Sequence, residues 1–273
     1  MRRTISAMSG PGVVAHNRRT YTAANVDKDR TKDNIEYCYT DIKKAYHELF
    51  DEALKEYNAK QTRRDRMIDD YYKKICTGKQ EKPFYEVIFQ IGGKDNMAVG
   101  TPEGDKAKEI LNEFMRGFEE RNPQLKVFSA HLHMDEATPH LHIDFIPYIT
   151  GSKRGLSTRV SLKKALEAQG FKGEGKSNNE RNLWIESEKD ALAEIMERHG
   201  IDWEKKAKPL FEKMAKLILK LCSTIISLRQ EIRTLEQKYA EERTKVNMLE
   251  RLLTDKQKKK LKERNVFHGE KSF

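Results

Sequence analysis

The segment His131-Leu-His-Met-Asp-Glu-Ala-Thr-Pro-His-Leu-His142 carries more potential chemistry than any other stretch of the chain. Four of the eight histidines fall in it, and His133, Asp135, Glu136, His140 and His142 place five potential metal ligands within ten residues. Imidazole nitrogens suit Mn, Fe, Co, Ni or Zn, whereas an oxygen-only set would suit Mg or Ca. A closed structural zinc site would more often use cysteines, and none lies near. Three imidazoles with positions left open could instead polarise a phosphate oxygen, as phosphodiester transfer requires.

Strands must present these side chains. Residues 125–134 and 140–148 both read as strands, separated by Asp135-Glu136-Ala137-Thr138-Pro139. Side chains alternate across a strand, so His140 and His142 share a face while Leu141 turns into the core. Pairing of the two strands as a hairpin would bring His133 to the same side. His131 shares the strand face of His133 and either backs a ligand or lies at the surface.

Other elements follow from pattern. Residues 2–8 and 84–91 read as strands, the second bounded by Pro83 and Gly92-Gly93. Helical spacing from Thr40 to about Ile75 predicts one long helix or two joined ones. Thr101 is placed to cap a helix that opens on Pro102 and runs to about Phe118. Short and longer helices are expected over 162–168 and 186–199, with Trp184 and Trp203 as packing anchors. Beyond Lys208, Leu210, Met214, Leu217 and Leu221 follow a heptad seam that continues after a phase shift through Ile225, Leu228, Ile232, Leu235, Tyr239, Val246, Leu249 and Leu253.

The motif His133-x-Asp-Glu136-x-Thr-Pro139-His140-x-His142 resembles the metal motif of the MobV/Pre relaxases, enzymes of plasmid mobilisation and plasmid recombination. His16-Asn17-Arg18-Arg19 resembles their HxxR pattern, and the Asn34-Ile35-Glu36-Tyr37 stretch is similar to another shared feature. The resemblance covers about residues 5–205. It implies an α+β, HUH-endonuclease-like fold, an antiparallel sheet flanked by helices. It further implies that His133, His140 and His142 bind Mn2+ or Mg2+ at a DNA phosphate, with Glu136 as a base or a further ligand. It assigns the nucleophile to His16, with Arg19 holding a phosphate. Tyr37, Tyr39 and Tyr21 are competing nucleophiles. Asp135 is expected to stabilise the turn or to orient an imidazole. The implied activity is strand-specific nicking and rejoining at a transfer origin through a covalent protein–DNA intermediate.

Charge is compatible with that activity. The 273 residues carry a formal net charge of +10, and from Glu204 to Arg264 18 basic residues face 9 acidic ones, while 1–203 is nearly balanced. A basic surplus favours phosphate backbones. Lys153, Arg154, Arg159, Lys163 and Lys164 follow the histidine strand and are expected to grip DNA, with Arg63, Arg64 and Arg66 a second cluster. Only Cys38, Cys76 and Cys222 occur, which points to a reducing cytoplasm. No signal peptide or membrane-spanning run is expected. The expected organisation is a relaxase domain over 1–205, a basic coiled-coil segment over 206–265 that could form a homodimer, and a tail over 266–273. A different class of function remains open, a metal-stabilised DNA-binding or replication-accessory protein whose histidine site is structural.

Overall fold

A computed structural model of the chain describes residues 3–10, 12–204, 209–253 and 255–269, without the side chains of 209–219 and 265–269. Two compact units result, Met1–Lys206 and Ala207–Phe273. The first is built on an antiparallel sheet of β1 (Ile5–Ser9), β2 (Ile35–Tyr39), β3 (Tyr85–Ile91), β4 (Leu125–His133) and β5 (His140–Ile149) in the order β1-β3-β5-β4-β2. A short β6 (Arg159–Val160) pairs with the end of β5. The helices are α1 (Val14–Asn17), α2 (Ile42–Ala59), α3 (Tyr71–Thr77), α4 (Pro102–Arg116), α5 (Phe118–Arg121), α6 (Leu162–Ala168) and α7 (Glu180–Arg198). The expected antiparallel sheet flanked by helices is therefore present.

Alternation along the strands divides the molecule into two cores. Val87, Phe89 and Ile91 of β3, Ala130 and Leu132 of β4, and Leu141, Ile143 and Phe145 of β5 form one apolar face, packed with residues of α4, α5, α6 and α7. α4 supplies Ala107, Ile110, Leu111, Phe114 and Met115 at helical spacing. Thr101 Oγ1 accepts from Gly104 N to cap it, and a Cβ at residue 104 would collide with the Ala98 carbonyl oxygen. Trp184 is buried in this core, and Trp203 packs against it.

The opposite face is only partly covered. A bulge between Val127 and Ser129 lets Phe128 join Ile146, Val160 and the buried side chains of α2 and α3 in a second core. The remaining half of that face carries Ser129, His131, His133, His140, His142 and Asp144, which is where function has room.

The stretch from Thr40 to about Ile75 holds two helices, the second of the two arrangements expected, because Asn58 donates to Ile68 O and accepts from Ile68 N, folding the chain back between α2, which ends at Ala59, and α3. One helix boundary differs from expectation. Helix α7 starts at Glu180, since Asn179 Oδ1 caps it through Asn182 N and Trp184 and Ile185 already pack in the core.

In the second unit the helices are α8 (Pro209–Leu252) and α9 (Asp255–Gly269). Of the heptad residues, Leu221, Ile225, Leu228, Ile232, Leu235, Tyr239, Val246 and Leu249 stand exposed. Leu210, Met214 and Leu217 lie outside the described side chains. Among the described residues no helix is long and apolar enough to cross a membrane.

Candidate metal and catalytic site

Strand register assembles the histidines. β4 and β5 pair His133 with His140, His131 with His142 and Ser129 with Asp144, so all six side chains share one face. The ring centroids lie 5.2 Å apart for His133 and His140, 4.6 Å for His133 and His142, and 5.0 Å for His140 and His142. The convergence expected for these three is present.

Each ring is held through one nitrogen. His133 Nε2 donates to Asn17 O at 2.8 Å, His140 Nδ1 to Thr138 O at 2.8 Å, and His142 Nδ1 to Glu86 Oε1 at 2.6 Å. Burial pushes the His133 imidazole down to about 2 and lowers that of His140. Both rings are therefore neutral, and a neutral ring that donates from one nitrogen offers a lone pair on the other. His133 Nδ1 and His142 Nε2 are buried without a hydrogen-bond partner. Unsatisfied buried lone pairs on rings anchored from behind are the arrangement a bound metal ion uses. One ligand atom from each of His133, Glu136 and His140 lies within 4.8 Å of the others, as does one from each of His16, His133 and His142. The donor set fits a divalent ion.

His131 Nε2 is likewise buried without a hydrogen-bond partner, but the ring belongs to neither group of ligand atoms that lie within 4.8 Å of one another. It is buried beside His133, its Nδ1 3.7 Å from Glu36 Oε2, and burial holds its imidazole down at about 4. Of the two positions expected for it, backing a ligand or lying at the surface, it is not at the surface.

The N-terminal segment lays His16 over this floor. Its ring is 5.8 Å from that of His133 and 6.1 Å from that of His142. Burial, and then the neighbouring Arg19 charge, lower its pKa, so the ring is neutral at neutral pH, and its Nε2 accepts from Arg19 Nη1 at 3.1 Å. Arg19 adopts φ +56°, the one non-glycine residue with positive φ among the described residues. Such backbone is uncommon outside glycine and gathers at functional sites.

Arg19 does not stand ready for a phosphate as expected. Its Nε and Nη2 donate to Asp135 at 2.8 and 2.5 Å, Nη2 also donates to Glu136 Oε1 at 2.9 Å, and Nη1 donates to His16 O at 3.0 Å. The guanidinium is spent on holding α1 against the β4–β5 turn. Asp135 likewise accepts from Thr31 Oγ1 and Asn34 Nδ2, so it anchors the 27–34 segment and no imidazole. With Asp135 fully enclosed, Arg19→Ala should destabilise the fold by about 3–5 kcal/mol by stranding a buried carboxylate. Urea denaturation measures this, and a loss below about 1 kcal/mol would mean that water already reaches the pair.

Glu136 lies between the two groups. Its Oε1 is 3.5 Å from His16 Nε2 and 3.8 Å from His140 Nε2, while Oε2 accepts from Asn25 Nδ2 at 2.8 Å. That position is compatible with either base or ligand. The competing tyrosines are scattered. Tyr37 packs into the core on the opposite face, where burial pushes its phenol up to about 12. Tyr39 stacks under Arg18, and Tyr21 lines the cleft beside His16.

The basic residues expected to grip DNA are not brought to the histidines. They follow Ile149, at the end of β5 opposite His140, about 30 Å along a ten-residue strand. Lys163 pairs with Glu167 and Glu180, Lys164 with Glu167, and Arg159 donates to Ser152 Oγ. Arg63 and Arg64 pair with Asp65 and Asp69.

Several site residues had escaped the sequence reading. Glu86 on β3 is buried and accepts from His142, Gly12 N and Asn17 Nδ2. Burial raises its pKa, but these hydrogen bonds outweigh that and hold it low. Asn17 Nδ2 also reaches Asp144 Oδ2 at 3.0 Å, which Ser129 Oγ joins at 2.9 Å. Burial, and then the charge of Glu86, push Asp144 up to about 6. The available signal was a lone acid inside an apolar strand, Tyr85-Glu-Val-Ile-Phe.

A family model described as plasmid recombination enzyme, Mob_Pre, matches residues 13–182. The chain belongs to the Mob_Pre family. All the residues built into the site above, from His16 to Asp144, fall inside the matched span, and the resemblance drawn from the histidine motif is borne out. Membership makes the chain a plasmid recombination enzyme, in line with the expected enzymatic class. Among solved structures, it is similar to a Mn-bound MobM relaxase domain with 22-nucleotide plasmid pMV158 oriT DNA, at pH 5.5. That match has 18% identity and TM-score 0.44, covering 75% of this chain and 94% of that one. A second Mn-bound MobM relaxase domain, with 23-nucleotide oriT DNA, matches at 18% identity and TM-score 0.38, covering 78% and 98%. Comparison with curated proteins finds no match.

Proposed function

We propose that this Mob_Pre enzyme is a relaxase that nicks and rejoins one DNA strand at a plasmid or mobile-element transfer origin, with His16 as nucleophile and Mn2+ or Mg2+ as cofactor. The observation that carries the reading is a neutral His16 whose ring lies 5.8 and 6.1 Å from those of His133 and His142, two imidazoles that each hold a buried nitrogen without a partner. His140 and Glu136 complete a second ligand group around His133. A metal ion bound by His133, His140 and His142 would polarise a phosphate oxygen and draw charge off the phosphorus.

The residues supply the remaining steps. His16 attacks with a ring lone pair; a P–N bond forms and the bond from phosphorus to the 3′ oxygen breaks. The proton of the other ring nitrogen is lost toward Glu136 and its surroundings, and the departing 3′ oxygen takes up a proton. Rejoining reverses both, as the 3′ hydroxyl attacks phosphorus and the P–N bond breaks. Arg19 positions rather than reacts, since it ties His16 and Glu136 into one rigid unit. The enzyme would act in the cytoplasm on origin DNA in supercoiled or single-stranded form. Self-association through the apolar seam of α8 forms part of the same proposal.

Supercoiled plasmid carrying the cognate origin, incubated with Mn2+, provides the test. Conversion to the open circular form that disappears with chelator is expected. Metal-dependent binding with no nicking at any metal tested would overturn the reading in favour of a DNA-binding module.

A further inference from the structure

Large apolar side chains are almost everywhere buried in the unit that carries the histidines. Among the described residues up to 204, those that stand exposed are Met8 at 50%, Val13 at 44%, Tyr21 at 62% and Tyr39 at 37%. Scattered exposure needs no explanation, whereas exposure gathered at one place marks a binding surface. Three of them gather at His16, and the fourth packs against Arg18, two residues along the chain from it. Met8, Val13 and Tyr21 line the same open cleft of about 520 Å³ as His16, His140 and His142. Tyr39 lies on the other side, with the Arg18 guanidinium 3.6 Å over its ring.

Sheet order explains the separation. Met8 pairs with Ile88 on the β1 edge, and Tyr39 pairs with Ser129 on the β2 edge. Both edges flank the strands that carry the histidines. A DNA strand reacting at His16 therefore meets an apolar or aromatic surface in both directions. Unpaired bases have flat π faces that stack on aromatic rings and on guanidinium planes whatever their sequence. Arg18 adds a positive charge suited to the accompanying phosphate. A lipid or a helical partner would need a continuous apolar stripe, which the charged and polar floor of the cleft interrupts.

We propose that Tyr21, with Met8 and Val13, and the Arg18–Tyr39 stack are two base-docking platforms that hold unpaired bases on either side of the phosphate attacked by His16. The inference rests on the strand-transfer reading, to which it adds the residues that splay and seat the strand. It assigns recognition of the flanking nucleotides to stacking on these side chains.

The test compares binding of a thymidine oligonucleotide with that of an abasic oligonucleotide of equal length, in chelator so that nothing is cut. Wild-type protein should prefer the thymidine strand. Tyr21→Ala and Tyr39→Ala should each weaken thymidine binding by about 5- to 150-fold with little change on the abasic strand. Tyr21→Phe and Tyr39→Phe, which retain the ring, should keep the preference. An unchanged preference in both alanine variants overturns the platforms alone. Equal losses on both strands do the same, since they report a structural role. Failure of the wild-type protein to bind either strand, together with absence of plasmid nicking, would overturn the strand-transfer reading beneath them.

Discussion

His16→Ala should abolish the covalent protein–DNA adduct and lower nicking by about ten-thousand-fold or more, the scale on which removal of a nucleophile acts. Tyr37→Phe should leave both intact. The contrast follows from position. His16 extends from α1 over the histidine floor as a neutral ring with a lone pair. The Tyr37 hydroxyl is buried in the core on the other face, and no strand can reach it without unfolding the sheet. Labelled origin oligonucleotide run on a denaturing protein gel reads the adduct directly. An adduct that persists in His16→Ala and vanishes in Tyr37→Phe would sink the assignment. Persistence in both variants would direct attention to Tyr21, the tyrosine lining the cleft.

His142→Ala should remove measurable Mn2+ binding, and Glu86→Gln should weaken it by about 10- to 100-fold while leaving His133, His140 and His142 in place. The two effects have different origins. His142 supplies a buried nitrogen with no protein partner. Glu86 never needs to touch an ion, because its carboxylate holds His142 Nδ1 at 2.6 Å and so fixes which nitrogen faces the cleft. A glutamine retains much of the shape but loses the charge that makes the imidazole a stronger donor. Isothermal titration with Mn2+ measures both, with circular dichroism to check that each variant is folded. Wild-type affinity in His142→Ala would exclude it as a ligand. Equal affinity in Glu86→Gln would mean that the ring is oriented by packing alone.

The histidine set was legible in the sequence because its geometry is local. His140 and His142 are two residues apart on one strand, and a six-residue connection returns His133 to them. Period-two alternation therefore sufficed to place them on a common face. Helix α4 was legible for the same reason, since its cap, its first-turn proline and its apolar stripe are written in consecutive residues.

What surrounds those histidines depended on contacts that no local pattern encodes. Arg19 and Asp135 are 116 residues apart, and their pairing turned an expected phosphate clamp into a brace for the segment that carries His16. Glu86 reached His142 because β3 lies next to β5 in the sheet, although 56 residues separate them. The segment from Lys153 to Lys164 follows the histidine strand in sequence, yet an extended strand carries its two ends far apart, so succession did not become proximity. The sequence by itself determined the histidines that could serve as ligands and the two strands on which they sit. Only the tertiary structure decided which nitrogen of each ring is free, because buried donors and acceptors must find partners wherever the sheet order supplies them.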